Sequence, residues 1–442
     1  MKKQFTALAA AIMMIASFSA CGDSKSSSSS TAETAETATE QQTTAVTQAE
    51  TTALTTEPIT EAATAPSDSI EILTADSGNT PLSSSSATVT IGNKEIDLNG
   101  AYVIDGVDAV IKGGSYKSDL SDQNVFLVIN GGSLTISNAE IIKTGDAGEN
   151  DSERSHDVSD DYNFYGINSV VLAIGENSTV KMKDCVITSD CSGANALFST
   201  ADANFTADNV RITTTGNSSR GVYATYNGSI TADNMDITTS GAHCAPIATD
   251  RGGGVVNVTN STVNCSGDGS PCIYSTGDIT VRNVKGVSTG AQAAVIEGKN
   301  SITMTDCDFT VKGGNNGLML YQSMSGDAAD KDATANVSTL TMNNSSIRNE
   351  TDGAMFYITN TNSVININGT NTLDCANGQL VSAGEGRWGK EGSNGGNLTL
   401  NLSGVTIDTS VTADDISSVT VNLSDNAAFN GETTGDVTIA NS

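Results

Sequence analysis

Basic residues are scarce in this chain: 21 Lys and Arg stand against 51 Asp and Glu in 442 residues, a net charge of −30. So acidic a surface lacks the positive patch that nucleic acid requires. It also repels anionic lipids and polyuronates unless calcium bridges them. Imidazoles are nearly missing. With His156 and His243 alone, and no CxxC pair, a structural zinc site has no ligand set. Proline is down to 5 residues and aromatics to 4%, while Gly reaches 43 and Thr, Ser and Asn are abundant. That balance offers little for long helices and suits short strands joined by tight polar turns.

Long apolar runs are missing except at the start. Lys2 and Lys3 precede an apolar stretch from Phe5 to Phe18, followed by Ser19-Ala20-Cys21, which reads as an export signal over residues 1–20. Its end resembles a bacterial lipoprotein signal, in which Cys21 becomes the lipidated first residue and anchors the chain to the membrane. Phe18 stands where that signal usually has Leu. Residues 21–69 are rich in Ser, Thr, Ala, Glu and Gln. Such a tract cannot bury apolar surface and is expected to be a disordered tether, leaving 70–442 as the folded domain.

One pattern organises that domain. Asn138, Asp184, Asn209, Asn234, Asn260, Asn283, Asp306, Asn344, Gly369 and Gly404 each follow an apolar residue four places earlier and usually another two places earlier. Asn, Asp and Gly enter the left-handed αL region at low cost. From Asp184 on, these positions are 25, 25, 26, 23, 23, 38, 25 and 35 residues apart. Alternating stretches such as Ile230-Thr231-Ala232 and Ile302-Thr303-Met304 have strand periodicity. A period of about 24 residues with that alternation predicts an all-β, single-stranded parallel β-helix, one repeat per rung. Rungs stacked at about 4.8 Å would place residues −4, −2, +1 and about +3 in internal columns: Phe205, Ala207, Val210 and Ile212, then Ile230, Ala232, Met235 and Ile237. Ile96, Leu98 and Gly100 match in part and would start the coil before residue 100; Val421, Leu423 and Asp425 carry it nearly to the C-terminus. Cys185 and Cys307 follow the turn position and read as small core residues. Cys244 could meet Cys265 or Cys272 on an adjacent repeat, a pairing that spacing leaves open.

Three insertions interrupt the period, and loops on a regular scaffold are where function collects. Residues 145–164 are acidic, with Asp157, Asp160 and Asp161 as candidate calcium ligands; a solvated charge run reads the same way. Residues 323–336 contain Asp327, and 384–396 are Gly-rich around Arg387 and Trp388. A further strand in each rung brings Tyr223, Asp250, Arg251, Tyr274, Glu297, Tyr321, Gln322 and Tyr357 to one side of the rod, with Trp388 beside them. Aromatic faces, carboxylates and guanidinium together suit an extended glycan; scattered aromatics over a strand face also occur without function. Asp250, Arg251, Glu297 and Asp327 are the candidates for acid, base and charge-stabilising roles in a polysaccharide hydrolase or lyase. Against catalysis, the band has no Asp-Asp pair, no Gly-His-Gly, no Arg-Ile-Lys and no Arg-x-Pro-x-x-Arg.

The ladder resembles the pectin-lyase-like right-handed β-helix superfamily. Phe164-Tyr165-Gly166, Asp250-Arg251-Gly252-Gly253-Gly254, Gly269-Ser270-Pro271-Cys272-Ile273-Tyr274, Ile296-Glu297-Gly298-Lys299-Asn300, Leu320-Tyr321-Gln322-Ser323 and Trp388-Gly389-Lys390-Glu391 are similar to uncharacterised exported β-helix proteins of gut-type Firmicutes. That resemblance covers about residues 90–440 and implies a right-handed parallel β-helix and a surface location, with no established activity. The reading is a lipoprotein on the outer face of the membrane that binds a carbohydrate or other surface polymer. A polysaccharide lyase or hydrolase, and a protein-binding adhesin or spacer, are the alternatives. If Cys21 carries lipid, Cys21→Ser moves the protein from the detergent phase to the aqueous phase in detergent partition. An unchanged distribution rejects the anchor.

Overall fold

The computed structural model describes residues 69–73, 82–149, 158–323 and 337–441. The signal and all of the tether except Ser69, together with Asp157 and Asp327, lie outside the described residues. Ser69 opens a strand rather than ending the tether.

The chain coils into a parallel β-solenoid of about 13 turns, with rungs roughly 25 residues apart. Each full rung supplies three short strands. The first and second strand columns belong to one 22-stranded sheet, and the third forms a 14-stranded sheet. Strands Gly228–Asp233, Gly254–Thr259 and Asp278–Arg282 are successive members of the first column. Asp236–Thr239, Thr262–Cys265 and Lys285–Ser288 follow in the second, and Val222–Ala224, Ile247–Thr249 and Ile273–Ser275 in the third.

The turn column is where the sequence pattern places it. Its eight Asn and Asp residues have φ between 48° and 55°, and Gly369 and Gly404 have φ of 77° and 71°. A strand alternates its side chains in and out, so positions −2 and +1 should face opposite ways. The αL residue between them resets the alternation, and both point inward: Ala207 and Val210, then Ala232 and Met235, are buried. The turn costs no ladder bond. Asn234 N–H donates to Thr259 O at 3.1 Å, Asn260 N–H to Arg282 O at 3.0 Å and Asn283 N–H to Thr305 O at 2.9 Å. The turn side chains also join: Asn209 donates to Asp184 at 2.6 Å, Asn234 to Asn209 at 3.1 Å and Asn283 to Asn260 at 2.8 Å. Asn260 breaks this amide ladder by donating to Asp233 at 2.7 Å, a carboxylate being the stronger acceptor.

The partial match at Gly100 is a coincidence of alternation. Gly100 lies inside strand Lys94–Asp105 of the third column. The first turn is Gly113, with φ of 81°, and Ala109 and Ile111 pair with Leu134 and Ile136 of the next rung. The N-terminal edge is closed by antiparallel strands. Ser69–Leu73 pairs antiparallel with Asp108–Lys112, and Ser85–Ile91 with Lys94–Asp105. Strand caps of this kind protect an edge as a helix would.

The interior is packed by size. Val263, Gly286, Phe309 and Ile347 occupy one inward column in register. A Cβ on Gly286 would lie 2.4 Å from Phe309 Cδ1, so the missing side chain is the space that the ring fills. Gly286→Val is expected to cost about 1–3 kcal/mol through overpacking. Phe309→Ala alone is expected to cost about 3–5 kcal/mol. The double variant should be more stable than the two losses predict, because truncating the ring makes room for the valine. Additive losses in chemical denaturation would show that ring and glycine are independent.

Candidate functional site

The outer face of the third sheet carries the candidate site. Leu172, Phe198, Tyr223, Ala248, Tyr274, Val295, Met319 and Tyr357 share one outward column. Two residues further along their strands, alternation returns Asp250, Glu297 and Tyr321 to the same face. The sequence grouping of these residues therefore holds. Their expected exposure does not. Tyr223 and Tyr321 are 0% exposed, Glu297 3% and Gln322 8%, and Asp250, Tyr274, Tyr357 and Trp388 are half-buried.

Two covers cause the burial. The first is the short helix Asp160–Tyr165, which ends on Gly166 in the αL conformation. It lays Phe164 and Tyr165 over the sheet with Tyr223, Phe198 and Leu172. Tyr165 stacks on Tyr226 at 5.5 Å, and the Arg251 guanidinium lies 4.2 Å from the Phe164 ring centre. The second cover is the loop 384–396. Asn394 holds its shape by donating to Gly386 O at 2.7 Å and Trp388 O at 2.8 Å. Trp388 then rests 4.5 Å from Tyr321, with Arg387 at 4.5 Å over its indole.

Between the covers a cleft opens over Arg220, His243, Ala245, Asp250, Gly269, Pro271, Tyr274 and Val295. This half-open cleft has a volume of about 30 Å³, room for one or two waters or a single ligand hydroxyl. Arg220 and His243 are functional candidates that sequence reasoning missed. Their signal was weak: an Arg just before a third-column strand, and a lone His that takes a positive φ of 57°. Arg220 is 5% exposed, donates to Asn163 of the covering helix at 2.7 Å and lies 4.6 Å from the Tyr223 ring centre.

Two carboxyls sit beside this cleft in a hydroxyl-rich network. Asp250 accepts from Tyr223 OH at 2.9 Å and from Arg251 N–H at 2.8 Å. Glu297 accepts from Tyr321 OH at 2.6 Å and from Tyr274 OH. Burial pushes the Asp250 carboxyl up, against the pull of Arg220 and Arg251. Burial likewise raises Glu297; hydroxyls of Ser323, Tyr274 and Tyr321 oppose the shift, and the charge of Asp250 adds to it. Tyr274 is pushed well above the usual phenol range by burial and by Glu297. Both carboxyls therefore keep their protons to higher pH than free side chains would.

The described end of the acidic insertion forms the helix Asp160–Tyr165. Asp161 pairs with Lys94, and Asp146 accepts from Ser192 N–H at 2.8 Å. Among the described residues, no group of three His, Cys, Asp or Glu side chains is placed to hold a metal ion.

The raised carboxyls set a pH dependence. A folded-state value above the unfolded one of about 4 adds stability at low pH that is lost as pH rises through the folded value. Melting temperature should therefore gain from Asp250 and Glu297 on going from pH 7 to pH 5. Glu297→Gln and Asp250→Asn should each flatten that gain relative to the parent in the same salt. Parallel pH profiles for parent and variants would contradict the assignment. The solenoid is compatible with a pectin-lyase-like fold, and no family model, curated protein or solved structure matches the chain.

Proposed function

We propose that this is an exported lipoprotein, held at the outer face of the membrane through Cys21, whose solenoid binds an extended carbohydrate or other surface polymer across the third sheet. The likeness to exported β-helix proteins of gut-type Firmicutes agrees with that location. The observation that carries the binding reading is the cleft between the two covers. It offers a guanidinium, an imidazole, a carboxyl and a tyrosine ring side by side on a face whose rungs repeat every ~4.8 Å. A volume of about 30 Å³ admits one substituent of a ligand, so the polymer lies along the surface and dips a hydroxyl into the cleft. The half-buried Tyr357 and Trp388 extend the contact. A neutral polymer suits the net charge of −30; an acidic one needs calcium as a bridge.

A second reading has a specific support. Asp250 and Glu297 face the same side two rungs apart, about 9–10 Å between backbone positions. That is close to the ~6.5–9.5 Å carboxyl separation of inverting glycosidases. In that reading the carboxyl with the higher proton affinity donates to the leaving oxygen, and the other activates water.

A glycan array, followed by titration of the best polysaccharide, tests both. Binding should fall at least tenfold in Tyr274→Ala and Trp388→Ala, measured at a temperature where circular dichroism shows both variants folded. No glycan bound, or unchanged affinity in both variants, removes the binding reading. New reducing ends or unsaturated-uronate absorbance, lost in Glu297→Gln, would select catalysis.

A further inference from the structure

The strongest unassigned chemistry lies in the second turn of one rung. Thr214, Thr239, Cys265, Ser288, Val311 and Asn349 form a single register column at the end of the second-column strands. In four of these rungs the column side chain ties down the turn that follows. Thr214 donates to Ser219 O at 2.6 Å and Thr239 to Cys244 O. Ser288 donates to Ala291 O at 2.8 Å, and Asn349 to Gly353 O at 2.8 Å. In the Cys265 rung the hydroxyl is replaced by a thiol, a much weaker donor. Its sulfur lies 3.6 Å from that of Cys272 across the same turn. The two thiols are 2% and 0% exposed.

We propose that Cys265 and Cys272 are a disulfide site, and that a covalent tie replaces in this rung the hydrogen bond its neighbours use. The bond closes the turn 266–271, which carries Gly269 and Pro271 of the cleft wall. Formation needs an external disulfide oxidant, such as a thiol–disulfide oxidoreductase or oxidised glutathione. One cysteine thiolate attacks the oxidant's disulfide and releases one thiol. The other cysteine thiolate displaces the second, leaving the Cys265–Cys272 bond and two reduced thiols on the oxidant. Two protons and two electrons pass in all.

Burial decides when this happens. In the closed rung the Cys272 thiol is pushed well up by its contact with Cys265 and by desolvation, so little thiolate is present to react. Exchange belongs to the unfolded or opening chain, and the closed rung then shields the bond from reductant. Neither step depends on carbohydrate binding. Other buried cysteines engage different groups: Cys185 and Cys307 place their sulfurs on backbone carbonyls at 3.2 Å and 3.3 Å. Cys244, once a candidate to pair across repeats, takes Ser219 N–H at 3.0 Å and reaches Gly216 O at 3.1 Å.

The test uses the whole chain, unfolded and reduced, then refolded in a buffer rich in oxidised glutathione. Thiols are blocked with a maleimide in denaturant and the protein is cut with trypsin. The peptide 252–282 contains Cys265 and Cys272 and no other cysteine. It should arrive without maleimide and two hydrogens lighter than its reduced form. Oxidised protein should melt several degrees above the reduced protein, and Cys265→Ser/Cys272→Ser should abolish the difference. Two maleimides on that peptide after oxidative refolding would overturn the proposal, as would a bridge from either residue to a different cysteine.

Discussion

The conformation of one residue per rung governs this molecule. An αL residue between the first two strand columns lets positions three apart both face the interior, and its N–H continues the ladder into the next rung. Without that reset, simple alternation would turn the second strand's inward residues, such as Met235 and Ile237, to solvent. The cost of a left-handed conformation falls on Asn, Asp and Gly, which tolerate it best. Repeating this in register stacks the core into columns, and the columns place every other side chain on a defined outer face.

The same regularity creates a problem on the candidate face. The third sheet turns an apolar and aromatic column outward, from Leu172 to Tyr357, and that column needs cover. A six-residue helix covers one part and the Trp388 loop another. Polar groups caught between sheet and covers lose water, and each must find a partner. Tyrosine hydroxyls meet both carboxyls, and guanidinium groups lie on aromatic rings. The raised proton affinities of Asp250 and Glu297 follow from this burial, and the cleft is what the covers leave open.

Much of the scaffold was legible from spacing alone. The ten turn residues, the inward columns and the core role of Cys185 and Cys307 all follow from period and alternation. The false start at Gly100 shows the limit: apolar alternation identifies a strand without saying which column it joins. The grouping of Tyr223, Asp250, Glu297 and Tyr321 was also legible, since rungs in register bring equivalent positions together. Their burial was not. It depends on segments outside the repeat, as in the bond from Arg220 to Asn163, 57 residues apart.

The sequence by itself determined the coil, its period, its turn chemistry and the side of the rod on which the candidate site residues lie. These properties are local and repeat, so each rung restates them. Tertiary structure alone decided which of those residues are accessible and how their protons are held. It also decided that Arg220 and His243 join them and that Cys265 faces Cys272 across a turn. Those outcomes depend on non-repeating loops folding back over a repeating sheet, and the distance between such groups in space bears no relation to their spacing along the chain.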